Sequence, residues 1–342
     1  MISIEEKETL LNHLKCYSLN TFTIECILQY ANITTDIFNI DHNILINNLS
    51  NNIKKNITFS KKFNIFSKIL GSYNFESKQI MINPKIKNNQ HIISLIYHEL
   101  DHAASSKDIK TEIRIEYLNL YFQRINEKHP FLLKIPFIKS FIKRKFLNSN
   151  SFMCGFNNPL VGKALGINLN LFKEGITTYK QSKYEKYLNL TDKITNQENY
   201  YKNEMKVAQT IIDIIGENLT IRLEQNNDIL GLKKVFEKLT KKQVLFEDLI
   251  QQLNNASIES NRTLENQKKL NNTLQKIVLC KKAYDYNIDL GSSKLSLAEI
   301  QNIINSYEKK LKFHNKIKSS KCKKVSIKDL SADKVEEYSY NK

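Results

Sequence analysis

The chain has 342 residues and 41% of them are hydrophobic, which is enough for one large globular domain or two smaller ones. Only 8 glycines and 4 prolines occur, so the sequence disfavours a turn-rich all-β protein and favours a helical one. The formal net charge of +17 is typical of proteins that bind nucleic acid or anionic membranes. We do not take the charge as evidence for such a partner. Lysine is abundant together with asparagine and isoleucine, which is typical of proteins encoded by an A/T-rich genome, and no nucleic-acid-binding motif accompanies the charge. No nucleic-acid partner is therefore expected.

The cysteines and the N-terminal segment indicate a protein of a reducing compartment. The five cysteines are scattered and form no CxxC pair, which fits neither a disulfide framework nor a thiolate zinc site. The segment MISIEEKETLLNHLKCYSLN has no positively charged region followed by an apolar one, so no secretory signal is predicted. No apolar run of about 18 residues predicts a transmembrane helix. We expect a cytoplasmic protein, with export by a route without a recognisable signal peptide left open; the sequence predicts no oligomeric state.

The first part of the chain predicts helices and one short strand. Residues 1–50 carry small apolar clusters at helical spacing, which predicts two or three packed helices. Residues 77–84, SKQIMINP, predict a short strand closed by a proline. The segment NNQHIISLIYHELDHAASS then predicts a helix with Asn88 or Asn89 as its N-cap. A second helix is predicted over residues 108–126.

A basic and apolar stretch, FIKSFIKRKFL, follows Pro130 and Pro136, which interrupt the preceding helix. Such a stretch can lie on a membrane surface. More often it packs its apolar face on the protein and leaves its cations, here Lys139, Lys143 and Arg144, in water. We expect the packed arrangement.

The second half of the chain predicts a glycine-rich loop and then helices. Residues 151–188 contain four of the eight glycines, which indicates a shaped loop that leads into a helix. From residue 199 onward the sequence is a series of amphipathic helices. Residues 321–342 are polar and predict a frayed end.

The motif His98-Glu99-Leu100-Asp101-His102 has the spacing of a metal site. Residues four apart lie on one face of a helix, so both histidines can bind one ion at about 2.0–2.1 Å. Glu99 lies to the side of that face, where it can take a proton from metal-bound water as a general base. Asp101 points away and is expected to be a carboxylate at the surface or behind the ligands. An accidental HExxH is expected on the order of once in a hundred such chains, and this one lies on an apolar helix.

A catalytic zinc ion usually takes a third protein ligand, and Glu174 in LFKEGITTY is the strongest candidate. It begins a predicted helix after two apolar residues. His91 lies about 10 Å along the helix from the first histidine of the motif, which is too far for one ion. His129, in a loop before a proline, remains conceivable. The continuation AASSKD excludes the metzincin class, which needs HExxHxxGxxH.

HELDHAASS followed by NLFKEGITTY resembles the gluzincin group of zinc metallopeptidases, the thermolysin-like class. It is similar above all to uncharacterised bacterial proteins with a variant of L-N-E-G-x-T, over residues 75–215. The resemblance implies that His98, His102 and Glu174 bind one Zn²⁺ and that Glu99 is the base.

The sequence departs from the gluzincin pattern at two positions. Lys173 replaces the asparagine that often precedes the ligand glutamate, and Thr178 replaces the aspartate that normally holds a ligand histidine. We expect Thr177, Thr178 or a backbone carbonyl to replace that aspartate.

The resemblance predicts an α+β, predominantly helical fold, with a zincin-like catalytic domain whose small sheet precedes the HExxH helix. Three regions are expected: an N-terminal helical region over 1–50, the metallopeptidase domain over 51–215 and a helical C-terminal region over 216–342.

The implied activity is hydrolysis of a peptide or protein substrate by zinc-bound water that Glu99 activates. Tyr200, Tyr201 and Tyr179 are the candidates for the donor to the developing oxyanion. The strand at residues 80–82 could be the sheet edge on which a substrate pairs its backbone. Two alternatives remain: a zincin-like binding module without activity, and a basic nucleic-acid- or membrane-binding protein whose HExxH is incidental.

Overall fold

The computed structural model describes residues 1–60, 63, 69–147, 152–190 and 201–328. These residues form fourteen α-helices, two 3₁₀ helices and five short strands. The predicted predominantly helical fold with a small sheet is confirmed.

Three capped helices begin the chain, as predicted. Ser3 and Glu6 form a capping box at the first helix, and the side chains of Asn20 and Asp41 accept backbone N–H groups at the next two. Their apolar faces pack into the main core. The helices are α1 (Ile4–Lys15), α2 (Thr21–Ile37) and α3 (His42–Asn52).

A three-stranded sheet follows, in the order β1 (Thr58–Phe59), β3 (Gln79–Ile82), β2 (Gly71–Asn74). The predicted strand is confirmed as β3, but the prediction that residues 80–82 form a sheet edge is wrong. β3 is central, since β1 pairs with it in parallel and β2 antiparallel. Alternating burial marks a strand without revealing how many neighbours it has. Among the described strands, β1 and β2 are the two edges of this sheet.

The motif helix, α4 (Asn89–Ala104), begins where predicted, because the side chain of Asn88 accepts the N–H of His91 at 3.1 Å. Every residue from Ser94 to its end is buried. The next predicted helix starts later than expected, at Thr111, because residues 106–108 form a strand instead. That strand, β4 (Ser106–Asp108), pairs antiparallel with β5 (Phe152–Cys154).

A helical hairpin lies between these two strands. Its parts are α5 (Thr111–Lys128), a 3₁₀ turn (Leu132–Lys134) and α6 (Pro136–Leu147). The expected packing of α6 is only half right. Phe146 is buried, but Phe137 and Phe141 are exposed.

The glycine-rich segment leads into a helix, as predicted, but the part before that helix is a strand, a turn and a further short helix rather than one loop. Gly166, with φ +68°, ends α7 (Pro159–Leu165) in the left-handed conformation. α8 (Asn170–Tyr187) contains Gly175, where a Cβ would lie 2.3 Å from the carbonyl oxygen of Glu204. The glycine after the ligand candidate therefore lets the backbone of the following helix approach α8.

Six helices complete the described chain, which confirms the predicted helical series. One apolar core runs from the N-terminal helices to Ile277, and a smaller cluster surrounds Cys280 and Ile304. The domain boundaries at residues 50 and 215 stay predictions. Among the described residues, no helix is long and apolar enough to cross a bilayer. The helices are α9 (Lys202–Ile215), α10 (Glu217–Gln225), α11 (Ile229–Leu239), α12 (Phe246–Ser257), α13 (Leu264–Asp285) and α14 (Leu297–Lys328).

Candidate metal centre

The three predicted ligands lie together between α4 and α8. Nε2 of His98 is 3.3 Å, and Nε2 of His102 is 3.4 Å, from the same oxygen, Oε2 of Glu174. One ligand atom from each residue lies within 4.8 Å of the other two, and all three residues are buried. This His-His-Glu group could hold a metal ion.

The hydrogen bonds around His98 test whether these atoms suit a cation. The amide nitrogen of Gln181 donates to Glu185, which turns its oxygen toward His98. Nδ1 of His98 donates to that oxygen at 2.9 Å. In the neutral imidazole, Nε2 then carries a lone pair that faces an oxygen of Glu174. Lone pairs converging on one point repel each other unless a cation lies between them, so the arrangement fits a metal ion.

The carboxylate of Glu174 is ionised at neutral pH. Burial alone would raise its pKa, but the ammonium group of Lys173 and the imidazole of His102 outweigh burial and hold the pKa well below its usual range. Nζ of Lys173 lies 2.9 Å from Oε1, while Oε2 faces the histidines. Lys173 thus occupies one oxygen and leaves the other for an ion.

The second histidine has weaker partners. Nδ1 of His102 lies 3.4 Å from Oγ1 of Thr177 and 3.9 Å from Sγ of Cys154. Burial lowers the pKa of this imidazole, as does Lys173, but Glu174 and the Cys154 thiol outweigh both and raise the pKa to about 10. A metal ion must therefore displace a proton from His102 on binding.

The partners of the ligand histidines are only partly as predicted. Thr177, one of the three groups expected to replace the missing aspartate, lies beside His102. Thr178 is buried, and its hydroxyl has no hydrogen-bond partner among the described residues. Gln181 was missed, although Glu174, Thr177 and Gln181 follow a three- and four-residue spacing on one helix face. That spacing was the available signal.

Asp101 belongs to a separate buried charge network behind α4. It accepts a hydrogen bond from Tyr30 at 2.9 Å and pairs with Lys180, which also contacts Glu224 at 3.2 Å. Burial raises the pKa of Glu224, and the charge of Asp101 adds to the increase. Asp101 does point away from the histidines, but the suggestion of a surface position is wrong, because α4 is covered on that side too.

A cavity of about 240 Å³ opens beside the three ligand candidates. Its wall includes residues 69–73, Lys173 and Tyr201. Glu99 lines it without joining the ligand group. A Cβ at Gly71 would lie 2.9 Å from Oε1 of Glu99, so the first residue of β2 contacts the predicted base directly.

One of the three tyrosine candidates lies at this cavity. The ring of Tyr201 stacks on the ring of His98, with centroids 6.4 Å apart. Burial raises the pKa of Tyr201 and nearby carboxylates add to it, so the hydroxyl keeps its proton and can donate. Tyr179 instead donates to Glu217. Tyr200 lies outside the described residues.

The remaining histidine candidates do not join the site. His91 is near the start of α4, and His129 directly follows the last residue of α5. Neither belongs to the group that could hold a metal ion in the described part of the chain.

Comparison with protein families, curated proteins and solved structures gives no match to this chain. The gluzincin resemblance and the roles it implies therefore stay predictions.

Proposed function

We propose that the protein is a zinc-dependent metallopeptidase with a zincin-like fold. In this proposal His98, His102 and Glu174 bind one Zn²⁺ and Glu99 is the general base. The observation that carries it is the convergence of three buried donors, two imidazoles and one carboxylate, beside a cavity that is also lined by a second carboxylate, Glu99, outside this group.

Zinc is the proposed ion because an HExxH helix is the usual source of two zinc-binding histidines. Two imidazole nitrogens and one carboxylate oxygen are a frequent catalytic zinc set, whereas calcium and magnesium prefer oxygen ligands alone. When bound, the ion would act as a Lewis acid: it would lower the pKa of a water molecule and polarise a substrate carbonyl.

The protein's own residues would handle the protons. Glu99 takes a proton from the attacking water and returns it to the leaving amine. Tyr201 donates a hydrogen bond to the carbonyl oxygen as its negative charge grows. Both side chains line the same cavity, which is the placement these roles require.

The edge strand β2 supports a peptide as the substrate. β2 pairs with β3 on one side, and its first three residues line the cavity with the other atoms of the site. An extended peptide can add to such an edge through backbone hydrogen bonds, in the role first assigned to residues 80–82.

Metal analysis of the purified protein beside His98→Ala and Glu174→Ala, with cleavage of a peptide library, tests this proposal. We expect one zinc per wild-type chain, weaker zinc binding in both variants, and peptide products from the wild type alone. Full zinc affinity in Glu174→Ala would refute the gluzincin-type site. Zinc binding without any cleavage would favour the alternative of a binding module.

A further inference from the structure

The end of the α5–α6 hairpin combines a dense positive charge with exposed apolar side chains. Residues 128–147 contain six lysines and arginines and no aspartate or glutamate. Four large apolar side chains in the same segment face water: Phe131 is 75% exposed, Ile135 48%, Phe137 78% and Phe141 58%. We call these four side chains and the six cations the hairpin patch.

The exposure of the patch is not a sign of a loosely attached helix. The ring of Phe146 stacks on Tyr121 of α5, with centroids 5.5 Å apart. Arg114 in α5 donates to the carbonyl oxygen of Leu147 at 3.1 Å. The base of the hairpin is therefore held by ring stacking and a charged hydrogen bond, and its apolar outer side is a fixed feature of the fold.

The outer side of α6 has the arrangement of an interfacial helix. Phe137 and Phe141 are one turn apart, and Arg144 and Lys145 follow one turn later on the same side. Exposed apolar rings flanked by cations allow a helix to lie flat, with its rings among acyl chains and its charges at headgroups.

We propose that the hairpin patch binds an anionic membrane surface. Lipid headgroups neutralise the cations, and the hydrocarbon below them takes up the four apolar side chains, so one partner satisfies both halves of the patch. A nucleic-acid duplex would neutralise the cations but leave the apolar side chains in water. A second copy of the chain would bring six further cations against the first six.

This inference is independent of the metal centre, because no patch residue is a ligand candidate or lines the cavity. It reverses the sequence-based preference for a fully packed α6. It also gives a functional reason for part of the positive charge, which composition alone assigned to the genome.

The first experiment uses the absence of tryptophan from the chain. Phe141→Trp introduces a single indole into the patch, and Phe22→Trp introduces one at an exposed site of α2. Each protein is mixed with vesicles of phosphatidylcholine alone or with phosphatidylserine added. We expect a blue shift of the indole emission only for Phe141→Trp and only with the anionic lipid.

The second experiment separates a local patch from overall charge. The triple variant Lys143→Gln, Arg144→Gln, Lys145→Gln should bind anionic vesicles about a hundredfold more weakly, at about fivefold for each cation near the surface. Its control removes the same number of charges from exposed positions of α11 and of the turn that follows it, and should bind nearly as the wild type does. The control substitutions are Lys234→Gln, Lys238→Gln and Lys242→Gln.

A third variant tests the apolar half of the patch. Phe137→Ser with Phe141→Ser should weaken vesicle binding at least tenfold with unchanged circular dichroism and zinc content, because both rings are already exposed. Equal loss of binding in the patch and α11 charge variants would overturn the proposal. So would an absence of vesicle binding, a dimer that the serine variant abolishes, or nucleic acid that binds the patch in preference to vesicles.

Discussion

Gly71→Ala is expected to disable the proposed base without disturbing the metal. Gly71 begins β2, and its backbone does not adopt the left-handed conformation that would exclude alanine. The added Cβ would lie 2.9 Å from Oε1, 3.2 Å from Cγ and 3.4 Å from Cδ of Glu99. The nearest atom belongs to a flexible side chain, so the carboxylate moves rather than the strand. A displacement of about half an ångström restores ordinary contact distances.

The expected loss of activity follows from the dependence of catalysis on the position of the Glu99 carboxylate. A misplacement of about 1 Å can cost about a hundredfold, so we expect kcat/KM to fall about 10- to 100-fold. This corresponds to about 1.4–2.7 kcal/mol of transition-state stabilisation. Zinc content should not change, because Gly71 touches the base and not the ligand atoms.

The assay compares peptide cleavage and zinc content in the wild type, Gly71→Ala and Ser72→Ala. Ser72 is the next residue of the strand and lines the same cavity, but its alanine variant adds no atom. We expect cleavage near the wild-type rate in the serine variant. A fully active Gly71→Ala, or one that loses its zinc, would contradict the proposed position of the base.

Three further predictions concern the surroundings of the site. Gly175→Ala should lower the free energy of unfolding by about 1–3 kcal/mol in denaturant titration, because its Cβ meets backbone and not a flexible side chain. Lys180→Met should cost about 3–5 kcal/mol because it leaves two buried carboxylates without their cation, whereas Lys183→Met removes a partly exposed pair and should cost at most about 1 kcal/mol. Gln181→Leu should weaken zinc binding about 10- to 100-fold in a chelator competition, since His98 loses its acceptor, and unchanged affinity would show that this hydrogen bond does not orient the ligand.

Local signals in the sequence were sufficient to predict most of the helices and the three ligand candidates. The spacing of the two histidines follows from helix geometry, and Asn88 caps α4 through its own side chain. Glu174 was found from its place in the first turns of a predicted helix, after two apolar residues, and from the gluzincin resemblance. Its distance from the histidines required the packing of α8 on α4, which no local pattern encodes.

Features that depend on tertiary contacts were missed. β1 has two residues and β4 has three, which is too short for a periodic pattern, so neither the strand order nor the edge at β2 could be predicted. Asp101 is buried because other elements cover that side of α4, and its charge is paired with Lys180 of another helix. The sequence pattern of α6 shows which residues are apolar but not which of them are exposed, so the outward position of Phe137 and Phe141 could not be predicted.

The central claim is tested most directly by Glu99→Gln, compared with the wild type for zinc content and peptide cleavage. The substitution keeps the shape of the side chain and removes its ability to take a proton. The account predicts one zinc per chain in both proteins and at least about a hundredfold loss of cleavage in the variant. Cleavage by Glu99→Gln at the wild-type rate, with zinc bound, would contradict the assignment of Glu99 as the base.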